Sequence, residues 1–292
     1  MMSDETISGH FGHTAGESAI EDSSPIVVLP AKATTLAWAD VSNSFRHWRL
    51  AYEFSKEDLK QKFHRTLIGP FWIAASFLVF ILVKIYIFSS LNDSSWEYFA
   101  SYLTLGYMVW VFISTAIVDG AMVFIGSRGW ILGMKCDYTT FVLQAMFRSF
   151  VTAIITAVVA LLVAYFVYPY TAMGFVWGMI GFISIIPLLL CVQLILATLC
   201  VFIRDLLPLI QAIMRIMFFL TPIIWLPSML GAKADILKYN PFTHMLAVVR
   251  QPLLSEPVLL ENWIWIGALT LAAFLVAVVL YPFAINKIAR HI

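Results

Sequence analysis

The sequence predicts an all-α integral membrane protein. Six transmembrane helices are expected, with an N-terminal amphipathic interface helix and two short re-entrant helices before the last span. Three observations carry this reading. Apolar residues make up 61% of the 292 residues and charged residues only 12%, about half the roughly 25% usual in soluble domains. The apolar residues fall in blocks, most of which reach the roughly 20 residues that a helix needs to cross a bilayer. Apart from Lys233, Lys238 and Arg250 in segment 227–262, lysine and arginine gather on alternate connections, as the positive-inside rule requires. Mean hydropathy is +0.89, too high for a globule that must present a polar surface to water. A net charge of +1 provides no general attraction to nucleic acid.

Residues 1–35 are expected to be a disordered tail, with Asp4, Glu5, Glu17, Glu21 and Asp22 against a single Lys32. His10 and His13 have no further metal ligands near them in sequence. Residues 43–66 read as an amphipathic helix on the membrane surface, with Trp48, Tyr52, Leu59 and Phe63 at helical spacing. Arg46, Arg49, Lys56, Lys60, Lys62 and Arg65 fill its wet face. Spans are expected at about 69–91, 101–125, 141–167, 174–202, 206–226 and 263–285. Pro70 suits the first turn of the first span, where its missing N–H is no loss. Segment 227–257 is too short and too polar for two further spans, and its prolines mark broken helices entering from the outer face.

The connections 92–100 and 168–173 carry no lysine or arginine. Arg128, Lys135, Arg204, Lys287 and Arg290 lie on the alternate ones, which places both termini in the cytoplasm of a bacterial inner membrane. No apolar run near the N-terminus suggests a cleaved leader, so the first span is the expected insertion signal. Cys136, Cys191 and Cys200 form no disulfide framework. The chain has no phosphate-binding Gly-x-x-x-x-Gly-Lys loop, no Gly-x-Ser-x-Gly and no His-Glu-x-x-His, so no catalytic role and no bound cofactor or metal is expected. No length remains for a folded soluble domain of about 100 residues. An energy-driven function therefore needs its motor on another chain.

Four patterns recur in order: basic residues then Leu67-Ile68-Gly69-Pro70-Phe71-Trp72; Phe202-Ile203-Arg204-Asp205-Leu206; Thr221-Pro222-Ile223-Ile224-Trp225; and Asn240-Pro241-Phe242 followed by Arg250-Gln251-Pro252-Leu253-Leu254. Over roughly residues 40–290, the chain thereby resembles the membrane subunit of polysaccharide-exporting ABC transporters, the exporters of O-antigen, capsule and teichoic acid. It departs from them at Cys136-Asp137, where that family often has Phe-Pro after the loop lysine. The resemblance implies a homodimer with two copies of a separate ATPase that binds ATP and Mg. It also implies a polyprenyl-diphosphate-linked glycan as cargo and a path along the dimer interface. A permease for a small lipophilic drug or lipid shares these expectations except the cargo; a membrane protein with no ATPase shares only the spans.

On this footing, Gly126, Arg128, Trp130, Ile131, Leu132, Met134 and Lys135 are the expected ATPase contact, joined by Arg204 and Asp205. Trp72, Tyr86, Tyr102, Tyr107, Trp110 and Phe218 are candidates to line the path, since sugar rings pack their C–H faces on aromatic rings. Within the spans, Lys84, Asp119, Arg148 and Arg215 are costly in hydrocarbon. Asp119 and Arg148 are placed to pair. Arg215 shares a helix face with Gln211 and either attracts the lipid-linked phosphate or pairs with Asp119 or Asp205. Pro222, Asn240, Pro241 and Arg250 are the expected outer gate: Asn240 satisfies freed backbone groups and Arg250 bonds to carbonyls or a carboxylate.

Overall fold

The computed structural model of the chain describes residues 30–64, 69–88, 95–134 and 136–292. Most of the expected tail, together with Arg65, Leu67, Ile68 and Lys135, lies outside the described residues. Among the described residues there are helices and no strand. The helices are α1 (Pro30–Arg46), α2 (Trp48–Phe63), α3 (Phe71–Phe88), α4 (Trp96–Gly126), α5 (Arg128–Gly133), α6 (Tyr138–Val167), α7 (Ala172–Phe202) and α8 (Leu206–Leu220). A 3-10 segment (Pro227–Tyr239), α9 (Pro241–Leu253) and α10 (Leu260–His291) follow.

Among the described residues, five helices are long and apolar enough to cross a bilayer: α3, α4 with α5, α6, α7 and α10. The fifth expected span, 206–226, stops at Leu220. Its 15 residues reach about 22 Å at 1.5 Å per residue, short of the roughly 30 Å hydrocarbon core. Pro222 explains the stop, because it biases Thr221 away from helix, and Thr221 is extended at φ −92°, ψ 137°. The apolar run continues through Ile223, Ile224 and Trp225, but as a turn packed inside the bundle.

Helix α4 is the central element, with buried residues along its whole length, and it packs on α3, α6, α7, α8 and α9. Helix α9 begins deep in the bundle, where Phe242 meets Trp110 at 5.4 Å. Trp110 lies about 20 Å along α4 from its first turn at 1.5 Å per residue. From there α9 returns along α7 toward the end of the bundle where α7 starts. A Cβ on Gly181 of α7 would stand 2.1 Å from the Val248 carbonyl oxygen, so only glycine permits this backbone approach.

The expected interface helix, 43–66, is instead two helices broken at His47. Helix α1 already starts at Pro30, inside the expected tail, because Ala33 and Ala37 find buried positions and α1 packs on α10 and α6. Asp40 fixes it. This carboxylate, 5% exposed, accepts from the backbone N–H of Tyr138 (2.7 Å) and Thr139 (3.0 Å), the Thr139 hydroxyl (2.6 Å) and the Tyr281 hydroxyl (2.6 Å). The first N–H groups of a helix have no partner within it. In α6 the residue at the cap position, Asp137, makes no side-chain cap bond, and Asp40 takes that role from another helix. Burial, and then the nearby Asp40 charge, push the Asp137 carboxyl above its ordinary range.

Asp40→Ala is expected to destabilise the protein by roughly 2 kcal/mol, since it strips a cap and leaves buried N–H groups unmet. Asp40→Asn, which keeps an acceptor, should recover part of the loss. Thermal melts of the purified protein in detergent measure both; an unchanged midpoint in the alanine variant would show that the cap carries no weight.

Candidate functional site

The break after α8 frees carbonyls, of which that of Pro222 is buried in the bundle while those of Phe219 and Leu220 lie on exposed residues. The last carbonyls of a helix lack intrahelical donors, and without water each must find another. Four side chains supply donors here. Trp225 Nε1 donates to the Phe219 carbonyl (3.0 Å). Asn240 Nδ2 donates to the Thr221 hydroxyl (3.0 Å) and, more weakly, to the Leu220 carbonyl (3.4 Å). Arg250 Nη1 (2.7 Å) and the Tyr102 hydroxyl (3.1 Å) both donate to the Pro222 carbonyl. Asn240 faces both ways, since its Oδ1 accepts from the Phe242 N–H at 3.0 Å and caps α9.

Arg250 is 5% exposed, and among the described residues no carboxylate pairs with it. Its guanidinium carbon sits 3.7 Å from the centroid of the Tyr102 ring, a cation–π contact. A Cβ on Gly106 would lie 2.9 Å from Nη1, so the glycine clears its path. The cation also stands at the C-terminal end of α8, where the helix dipole is negative. The fourth pattern thus folds back on the third, with Asn240 against Thr221 and Arg250 against Pro222.

Beside this junction runs a groove of ≈ 560 Å³ between α3, α4 and α8. Phe80 stacks on Tyr107 at 4.1 Å, and Phe218 meets Tyr107 at 6.1 Å and Trp110 at 5.8 Å. Gln211 and Arg215, one turn apart on α8, line the same groove. Arg215 is exposed and makes no ion pair among the described residues, so the alternative pairing with Asp119 or Asp205 is not seen. Of the expected path residues, Tyr107, Trp110, Gln211, Arg215 and Phe218 come together here. Trp72 and Tyr86 do not; they are 55% and 85% exposed elsewhere on α3. Tyr102 does not either, because its ring lies buried under Arg250.

At the opposite end of α4, past Gly126, α5 presents exposed Arg128, Trp130, Leu132 and Met134. Ile131 turns inward onto a cluster that includes Phe124 and Phe141. Trp130 packs on Phe54 of α2 at 5.4 Å. Arg204 and Asp205 are exposed in the turn between α7 and α8.

No family model matches the chain. It is similar to two proteins of Klebsiella pneumoniae, both named O-antigen export system permease protein RfbA. One is 26% identical over 196 residues, 66% of this chain and 75% of the relative. The other is 24% identical over 230 residues, 77% of this chain and 86% of the relative. The chain resembles O-antigen export permeases. Apolar helices long enough to cross a bilayer several times agree with that resemblance.

Two side chains of this permease-like chain escaped sequence reasoning. Asp40 is one. Asp58 of α2 is the other: it takes the ion pair expected between Asp119 and Arg148 and also accepts from Gln144 Nε2 at 2.6 Å. No sequence signal marks either acid, since the partners lie 98 and 90 residues away.

Arg250→Met is expected to cost roughly 2 kcal/mol, the net value of a hydrogen bond made by a charged group, and to loosen the Pro227–Leu253 region. Limited proteolysis of the purified protein should cut that region faster. Arg250→Lys, which keeps the charge and one donor, should fall between; equal cleavage in all forms would remove the junction's role.

Proposed function

We propose that the chain is the membrane subunit of an ATP-driven exporter that carries a lipid-linked polysaccharide from the cytoplasm across the inner membrane. The cargo path runs between two copies of the chain, and two copies of a separate ATPase supply ATP and Mg. The groove carries this reading. Its rings offer weak, repeated contact to sugar faces, and Arg215 with Gln211 offers charge-assisted bonds to a phosphate. Aromatic surface that binds weakly at many points lets a polymer slide.

The remaining features support the same reading. Helix α8 with the turn through Trp225 takes the place of the fifth crossing, and the 3-10 segment with α9, within 227–257, forms two re-entrant helices entering from the outer face. Pro222, Asn240, Pro241 and Arg250 then hold the outer gate. Exposed Trp38, Phe45 and Trp48 beside Arg46 and Arg49 suit α1 and α2 to the lipid interface. Both termini are cytoplasmic, on the side of α5. The exposed apolar faces of α3 (Val79, Leu82, Val83) and α8 (Ile213, Ile216) flank the groove and suit burial against a second copy.

Two experiments test the proposal. Arg215→Gln should lower surface glycan roughly tenfold or more, the scale of a lost charged hydrogen bond, with the ATPase complex still assembled, while Arg215→Lys retains part. Recovery in Arg215→Gln with Asp119→Asn would instead mean that Arg215 balances a carboxylate. Leu132→Asp with Met134→Asp should abolish co-purification of the ATPase while membrane insertion persists; undiminished co-purification would move the contact elsewhere.

A further inference from the structure

A crevice of ≈ 250 Å³ lies between α1 and the bundle, walled by α6, α7 and α10. Trp38, Val41 and Phe45 line it from α1, and Pro187, Leu194 and Val278 from α7 and α10. No charged side chain lines it, and its hydroxyls are engaged: Thr139 and Tyr281 both donate to Asp40, at 2.6 Å. A second crevice of ≈ 490 Å³ continues along α7 and α10 to Trp263 and shares Pro187, Cys191 and Phe274 with the first. Its hydroxyls are engaged as well. Ser184 donates to the Gly181 carbonyl and Thr270 to the Ile266 carbonyl, both at 2.7 Å. What stays open, apart from the weakly donating thiol of Cys191, is the indole N–H of Trp38 and of Trp263. Indole donors of this kind favour the level of lipid head groups.

That lining selects the occupant. A sugar or an ion finds no partner in it. A helix of a second copy is about 10–12 Å across, too broad for a cleft whose walls α7 and α10 pack against each other. An acyl chain fits. From Phe274 to Pro282 the crevice follows α10 for ~12 Å at 1.5 Å per residue. The tails of one leaflet cover a similar depth, ~15 Å of a roughly 30 Å core. Beyond Pro282, α10 carries Lys287 and Arg290, both exposed and neither in an ion pair among the described residues. Basic residues just past the end of a span attract anionic head groups. We infer that this crevice binds an anionic phospholipid, with one acyl tail along Pro187, Leu194 and Val278 and the phosphate at Lys287 and Arg290. The lipid then fastens α1 to α10 alongside Asp40. The inference requires a chain seated in a bilayer and is independent of what the chain exports.

The test uses the full chain, reconstituted in nanodiscs of phosphatidylcholine and phosphatidylglycerol and then stripped with detergent. Native mass spectrometry should find phosphatidylglycerol retained in preference to phosphatidylcholine. Leu194→Trp with Val278→Phe, which fill the crevice, should lower retention about tenfold, the scale of about two CH₂ groups no longer buried. Lys287→Gln with Arg290→Gln should remove the preference between the two lipids and leave a tail bound. Leu194→p-benzoylphenylalanine maps the occupant in the membrane without purification, and its photo-crosslink should carry a phospholipid. Equal retention of both lipids by the unaltered chain would overturn the inference, as would undiminished retention in the filled crevice. Crosslinks to residues 1–29, to a second copy or to a prenyl lipid in place of phospholipid would overturn it too.

Discussion

A helix that breaks off short of a full span leaves its last carbonyls without intrahelical donors, and the architecture around α8 answers that constraint. Trp225, Asn240, Arg250 and Tyr102 reach the Phe219, Leu220 and Pro222 carbonyls from three different stretches of chain. The Pro222 carbonyl, which is buried, would cost about 1–3 kcal/mol if left unmet. Arg250 contributes most to the geometry, because its position requires three things at once: a carbonyl ahead of it, the Tyr102 ring beneath it and a glycine at 106 to let it pass.

The placement of the groove follows from this junction. With Asn240 bonded to Thr221 and capping α9, Phe242 is set against Trp110, and Trp110 in turn backs Phe218. The aromatic wall therefore rests on the polar junction behind it. At the other end of the bundle, Asp40 plays a comparable part by joining α1 to the first turn of α6 and to α10. In both places side chains satisfy backbone groups of an element far away in sequence.

The long helices were legible in the sequence because lipid and core impose the same demand, an unbroken apolar run. Helix α8 was overextended for that reason, since Ile223, Ile224 and Trp225 are as apolar in a buried turn as in a span. The bonding of Arg250 to a carbonyl was legible in kind, because a buried cation near a proline break finds freed acceptors. Its stacking on Tyr102 was not, and the same tyrosine had been assigned to the path. Gln211 and Arg215 were placed together by helical spacing alone, whereas Asp40 and Asp58 act through distant partners that no local pattern encodes. The break at His47 also escaped, because amphipathic spacing continues across a short interruption.

Helix α8 is joined at one end to the exposed Arg204–Asp205 turn and clamped at the other by Asn240 and Arg250. Between them stand 15 residues that hold their own hydrogen bonds. Such a segment behaves as a stiff rod with a pivot. A displacement applied at the Arg204 end would be carried along the rod as a tilt about Thr221, and Arg215 and Phe218, which line the groove from this helix, would move with it. The short length that stops α8 from crossing a bilayer by itself thus makes it a lever.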